Sequence, residues 1–517
     1  MAALSSSHGG HLSLLARGWV WGLSCALLAG ALPSLEAQNA PKPGLLLDLW
    51  EIVLIEQHHV GWRHTQSRLA KSGQQEVVET TIELELQLRR SGQPITIQQT
   101  HAFHETADGQ LLGFVLQDRV GGDQQITRRG RSDGKSLTWT TQWTGKEPRE
   151  KRAAVPTRLR GPWGQVLEIK AGPALGRTGP AWYRFEPIFD AILPVDVGWQ
   201  AEENVTLLAG QQQRLRPILL RVSGVEDAPE AVEQWWIDHA GDVVKRQQRH
   251  STLGLLTCLR TSEEKARRTV ARSFALDVGR QHLLRLNRPL VDFNNQAELT
   301  YVIRWGEGQE TPRVPASDRQ VVRVMGPRHL EVCVNGLQTP PEVGPSRFKP
   351  PVECLASNRF INCQDVLVRQ YAQQATRGVS QPWAKAQAIE RWVHQRLRGK
   401  AASSEAYAQA DDVARRLAGD CKAHAILAAA MCRAVGVPAR TAVGLVYVPR
   451  EQALGFHMWL EVWVDGRWYA LDPTLGQGHV GAGHLKLADQ DWNGAESLAP
   501  LQPVLNLIGR LEVTVRE

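Results

Sequence analysis

From about Leu45 to about Leu259 the chain alternates apolar and polar residues, and that period of two restricts this stretch to sheet. The clearest run is Ile82-Glu83-Leu84-Glu85-Leu86-Gln87-Leu88, with apolar residues on one side and Glu or Gln on the other. Thr96 to Phe103, Gly113 to Asp118, Ser136 to Trp143 and Leu215 to Val222 repeat the pattern. Asp108-Gly109 and Asp133-Gly134 are turn signals between such runs. The expectation is a large antiparallel sheet with one wet face, either curled over a few helices or folded as a sandwich. His58-His59, His101 and His104 lie in this stretch without ligand spacing and read as structural.

A chain of 517 residues is too long for one core and suits about three domains at roughly 150 residues each. Its 42% hydrophobic and 22% charged residues are ordinary for a globular protein. The net charge of +7 is compatible with acidic substrates or an anionic envelope. Without a dense basic patch interleaved with aromatics, nucleic acid is not expected as a partner. At the N-terminus Arg17 precedes an apolar stretch from Trp19 to Ala31, and Ala29-Gly30-Ala31 and Leu35-Glu36-Ala37 suit cleavage. Residues 1–37 are therefore expected to be a secretory signal peptide. The run is shorter than the ~20 residues of a membrane span, so no transmembrane segment is expected in the mature chain; an uncleaved anchor is the alternative. Cys25 belongs to the signal. Six cysteines remain: Cys258, Cys333, Cys354, Cys363, Cys421 and Cys432. The Cys354 to Cys363 spacing permits a disulfide in an oxidising compartment.

Four parts follow: the signal at 1–37, an antiparallel β-rich domain at 45–275, a small β module at 280–338 and a mixed domain at 353–517. The module carries strand runs at Leu299 to Ile303, Val321 to Met325 and Leu330 to Val334, and reads as a spacer. A proline-rich stretch from Thr339 to Pro351 closes it. In the mixed domain, Asn362 is expected to cap a helix over Gln364 to Ala375. Ser380 is expected to cap a second, with Pro382 in its first turn and a stop at Gly399. A third starts at Asp411 or Asp412, and a fourth runs from Cys421 to Ala434, ended by Gly436 and Pro438.

Three residues in this domain carry chemistry. Cys421 opens a helix directly after Gly419-Asp420, where free N–H groups and the helix dipole favour a thiolate. Met458 to Val464, Asp465-Gly466 and Arg467 to Asp472 read as a hairpin with a two-residue turn. Its register sets Asp472 opposite Trp459 and diagonal to His457, at ~7–8 Å between backbones, within reach of an imidazole. Cys421, His457 and Asp472 are thus the candidate nucleophile, base and orienting acid. A rival reading makes Cys421, His424, His457 and Asp472 zinc ligands, but it lacks a second paired motif. His424 otherwise shapes the pocket, and Cys432 is a packing residue.

From about Pro382 to about Val515 the chain resembles the transglutaminase-like superfamily in its bacterial secreted branch. The matching pieces are Glu390-Arg391-Trp392-Val393, the helix start Gly419-Asp420-Cys421-Lys422-Ala423-His424-Ala425, and Cys432 through Arg440. Val443 to Tyr447, His457 to Trp463, and Leu471-Asp472-Pro473-Thr474 complete the match. The resemblance implies an α+β, papain-like core in which Cys421 attacks, His457 relays the proton and Asp472 orients His457. Many relatives carry Thr-Glu where this chain has Lys422-Ala423, which bears on substrate preference.

The expected activity is that of an extracytoplasmic thiol enzyme, periplasmic or secreted, acting on peptide-like amides through a thioester, with water completing the reaction. The expected substrate is a protein or peptide, with cell-envelope components as further partners and no cofactor or metal. Two alternatives stand beside it: an envelope binding or assembly protein, and a surface transglutaminase that cross-links proteins.

Overall fold

The computed structural model describes residues 44–73, 75–90, 93–120, 125–173, 179–223, 231–250, 254–268, 283–307, 311–312, 314–336, 339–340, 349, 351–398, 408–493, 507 and 510–516. The expected signal peptide at 1–37, most of the proline-rich stretch and Gly399 lie outside the described residues.

The fold is α+β, dominated by antiparallel sheets. Fifteen strands between Leu45 and Thr261 form one sheet in which every named pairing is antiparallel. Most chain neighbours pair in sequence; the first strand, Leu45–Ile55, meets the last, Gly254–Thr261, Ala191–Trp199 pairs with Gln212–Val222, and Arg149–Ala154 and Trp182–Glu186 form the two edges. Long hairpins such as Gln75–Arg90 with Gln93–Thr106 carry the alternation seen in the sequence. Val77, Leu86 and Leu88 are buried on them. Of the two expected forms, the structure shows one continuous sheet. Among the described residues a single longer helix, Pro162–Lys170, packs on it. Glu105 anchors that helix by accepting from the Trp163 and Gly164 amides at 2.9 and 2.8 Å. Burial pushes the Glu105 carboxyl up to about 7 against those bonds. His101 and His59 are used structurally, His101 on Asp118 at 2.8 Å and His59 on the Gly61 carbonyl at 2.7 Å.

The strands Glu298–Trp305, Gln320–Gly326 and His329–Asn335 form a four-stranded sheet with the C-terminal strand Leu511–Val515. Tyr301, Ile303, Val332 and Val334 share one hydrophobic core with the C-terminal helices. Read from sequence as a spacer, this segment is built into the C-terminal unit. Its earlier residues Leu284–Arg285 also pair with Leu454 and Ala453 of the site-bearing sheet.

The helices differ from expectation at their ends. The first runs Val366–Ala375, and its cap is Asp365 rather than Asn362: the Asp365 carboxylate accepts from the Leu367 and Val368 amides. The second runs Pro382–Arg396 with Pro at its first turn; its N-cap position is Gln381, not Ser380, and it makes no side-chain cap. The third, Ala410–Arg416, ends on Leu417 in a left-handed conformation, φ 47°. The fourth, Cys421–Ala434, starts and stops where the sequence indicated, with Gly436 at φ 78°. It is the central element, buried from Ala423 to Arg433. It packs with Met458, Leu460 and Val462 of the strand Ala453–Val464 in one core. No helix among the described residues is long and apolar enough to cross a membrane.

Candidate functional site

Asp420 sets the entry of the Cys421 helix. Its carboxylate accepts from the Lys422 amide at 3.0 Å, so the chain turns into the helix with Cys421 as the first helical residue. The thiol is half-buried at the positive end of a fourteen-residue helix. Cys432 is fully buried in the same helix, and burial pushes its thiol far above the usual range. All six described cysteines are free thiols, Cys354 and Cys363 included.

His457 comes from the strand Ala453–Val464, and Asp472 follows directly on Arg467–Leu471. Asp465 and Gly466 both have positive φ, 47° and 87°, as a two-residue hairpin turn requires. The register follows from it: Val464 pairs with Arg467 and Leu460 with Leu471. That brings Asp472 Oδ2 to 2.8 Å from His457 Nε2. The other ring nitrogen is not engaged by Asp472, and the Cys421 sulfur lies near enough to the imidazole to favour its charged form. The sequence-derived trio Cys421, His457 and Asp472 is therefore contiguous.

The electrostatics follow from burial and charge. Burial opposes a charge on His457, but the Asp472 carboxylate and the Cys421 sulfur outweigh it and hold the imidazole well above its usual value. Burial likewise opposes charge on Asp472, yet His457 and His484 hold its carboxyl well below the usual range. Asp472 Oδ1 also accepts from the Thr474 and Leu475 amides at 2.8 and 3.2 Å. Four donors on one carboxylate keep a buried charge ionised.

Sequence reasoning missed His484. It opens the strand His484–Gln490, is 1% exposed, and brings Nε2 to 3.0 Å from the same Asp472 oxygen. Its only sequence signal is a histidine after Gly481-Ala482-Gly483. Burial pushes its imidazole down to about 4, against the pull of Asp472. The ring of Trp459 stands edge-on to it at 5.3 Å and 86°. Glu390 is a second addition. It belongs to a motif already singled out, and here its buried carboxylate accepts from the Gly478 amide at 3.1 Å. Burial pushes that carboxyl up to about 7, with the nearby Asp472 charge adding to the rise.

His457, Asp472 and His484 offer donor atoms within 4.8 Å of one another, a spacing that would suit a cation. Contacts of 2.8 and 3.0 Å to one shared oxygen are hydrogen-bond lengths, and they already satisfy that oxygen. His424, in the rival zinc set, turns Nδ1 to the Asp420 carbonyl at 2.9 Å and closes its own helix turn instead.

Residues 369–473 match the model of the transglutaminase-like superfamily. No curated protein matches the chain. Three solved structures resemble parts of it. One, named as a candidate cysteine protease from Cytophaga hutchinsonii, is 15% identical with a TM-score of 0.29, over 43% of this chain and 83% of that one. Another, a β-barrel-like protein of a domain family of unknown function from Brucella abortus, is 8% identical with a TM-score of 0.31, over 42% of this chain and 95% of that one. A third, named as a candidate protease from Parabacteroides distasonis, is 14% identical with a TM-score of 0.17, over 67% of this chain and 63% of that one. None of these three likenesses is close enough to bear on activity. The match at 369–473, which holds the Cys421 helix, the His457 strand and Asp472, places the C-terminal part of this chain in the transglutaminase-like superfamily.

Proposed function

We propose that the protein is an extracytoplasmic thiol hydrolase of peptide-like amides, with Cys421 as nucleophile, His457 as general base and acid, and Asp472 as the residue that orients His457. The observation that carries this reading is the position of His457, bonded through Nε2 to Asp472 at 2.8 Å and lying beside the Cys421 sulfur at the start of its helix, near enough for the sulfur to favour a charged imidazole. The Cys421 thiol gives its proton to His457 as its sulfur forms a C–S bond to the amide carbonyl, whose C=O π electrons move onto oxygen. Collapse expels the amine, which leaves with a proton from His457, and a thioester remains. Water, giving a proton to His457, then forms a C–O bond to the thioester carbonyl; the C–S bond breaks, the carboxylic acid leaves and the sulfur takes the proton back from His457. The Cys421 backbone N–H at the helix start is suited to hold the developing oxyanion. The leader-like residues 1–37 support export of the chain, and the mature N-terminus is expected after Ala31 or Ala37.

The test is iodoacetamide labelling of Cys421 across pH, followed by site-specific mass spectrometry, in wild type and His457→Ala. Rapid labelling at about pH 6 that vanishes in His457→Ala supports the reading. Labelling only above about pH 8 in both proteins sinks it. Incubation with a glutamine peptide and a labelled primary amine separates the two outcomes of the thioester. Release of ammonia or a peptide fragment without amine incorporation is expected; stable amine incorporation would make the protein a transferase.

A further inference from the structure

Asp472 Oδ2 is shared by two imidazoles, and the reaction as written uses one. The second, His484, is placed with care. Its strand runs antiparallel to Ala439–Val448, with Val446 opposite His484. The residues leading into it are pinned from the Leu290 to Asn335 region. Tyr301 donates its hydroxyl to the Ala482 carbonyl at 2.9 Å, and Arg319 donates to the Gly481 carbonyl at 2.6 Å. Gln320 bonds the backbone of Lys486 in both directions, at 2.9 and 3.0 Å. A Cβ on Gly481 would lie 2.1 Å from the Asn294 carbonyl oxygen, so the approach is close. Gly444 is the register partner of His457 on the adjacent strand, and a Cβ there would meet the Leu485 carbonyl oxygen and the Trp459 ring.

An ionised carboxylate can only accept, so His484 Nε2 carries the proton in that bond. His484 Nδ1 is buried and meets no partner among the described residues. The charged and titratable groups around this pair are Asp472, His457, Cys421, Arg319, Glu390 and His424.

We propose that His484 is a positioning residue: as a neutral donor it fixes the Asp472 carboxylate and takes up part of its charge, and so sets how strongly His457 holds a proton. This rests on the thiol reading above. Losing the donor leaves Oδ2 to His457 alone. The imidazolium is then held more tightly, and the carboxylate is free to turn.

The paired variants His484→Gln and His484→Met test it, because both side chains are similar in volume and only Gln has an N–H to offer. The readout is the pH dependence of Cys421 alkylation by iodoacetamide. His484→Met is expected to move the upper limb of the profile to higher pH by about half a unit or more. Its plateau rate is expected to fall several-fold. His484→Gln is expected to stay near wild type in the position of the limb. Identical profiles for the two variants, both folded by circular dichroism, would overturn the proposal and leave His484 a packing residue. If neither variant folds, the nitrogen-15 shifts of the wild-type imidazole decide. A proton on Nε2 with Nδ1 bare is required, and an Nδ1–H tautomer or a charged ring at pH 7 overturns it. The two readings fail separately. Loss of the thiol reading shows as wild-type alkylation that is indifferent to His457→Ala. Loss of this one shows as normal wild-type behaviour with Gln and Met alike.

Discussion

Asp472 is the residue on which the site's charges converge. It accepts from His457, His484 and two backbone amides, and it is 1% exposed. Asp472→Asn keeps the size but presents an amide that cannot hold His457 in the same protonation state. We expect Cys421-dependent turnover or alkylation to fall by roughly 10²–10⁴, measured against an unchanged circular dichroism spectrum. Glu390 makes the opposite electrostatic case. Its folded value of about 7 lies above its ordinary 4.5, because burial favours the neutral acid. The folded state therefore binds that proton more tightly than the unfolded chain. The stabilisation is fully present below about 4.5 and is lost as pH rises through about 7. Glu390→Gln removes the ionisation, so its melting temperature should gain on wild type between pH 5 and pH 8. The gain corresponds to on the order of 2–3 kcal/mol at most. Glu105 titrates in the same direction in both proteins, so the difference between them isolates Glu390. A constant offset across pH would contradict the assignment.

At the scale of elements, the site depends on a close approach at one position in the middle of three neighbouring strands. Gly444, in the middle strand, pairs with His457 on one side and Lys486 on the other. A Cβ there would meet the Leu485 carbonyl oxygen at 2.1 Å and the Trp459 ring at 2.9 Å. Gly444→Ala must push the His484 strand outward or move the indole. We expect about 1–3 kcal/mol of destabilisation in denaturant unfolding, together with slower Cys421 alkylation at pH 6. Normal alkylation in a destabilised Gly444→Ala would show that the strand spacing serves packing alone. The Cys421 helix is more self-contained: Asp420 caps it, Gly436 ends it, and its interior is Ala, Ile, Leu and Met packed without exposure.

At the scale of the molecule, the C-terminal unit closes on itself through the strand Leu511–Val515, which pairs with Glu298–Trp305. Val513 is 1% exposed in the shared core. Val513→Ala should cost about 2 kcal/mol. Because Tyr301 and Gln320 hold the backbone around His484, it should also loosen the site, read as reduced protection of the 481–486 amides in hydrogen exchange. The large sheet touches this unit at the tip of one hairpin. Lys146 pairs with Asp411 and, at 3.3 Å, with Asp412, on the helix just upstream of Cys421. Arg359 lies 4.3 Å over the Trp143 ring. A partly exposed pair of this kind contributes at most about 1 kcal/mol. Lys146→Ala is accordingly expected to leave the melting temperature within a few degrees of wild type.

Local chemistry was legible from the residues alone. Period-two runs fixed the strands because one face must be wet. A positive-φ dipeptide fixed the hairpin and hence which side of His457 Asp472 lies on. An Asp before an apolar run fixed where the Cys421 helix begins. Helix starts without so clear a signal were misread: Asp365 replaced Asn362 as a cap, because only Asp365 reaches the free amides at the helix start. What tertiary structure alone decided is long-range. His484 follows Asp472 by twelve residues along an irregular path, and no periodicity or turn rule links them. Their meeting depends on a bare Gly444, on Trp459 packed edge-on, and on a backbone held by Tyr301, Arg319 and Gln320 from more than 160 residues earlier. The joining of the 298–335 strands to the C-terminal strand is of the same kind. A hydrogen-bond ladder between distant segments is chosen by the shared core they can bury, and that core exists only once the chain has folded.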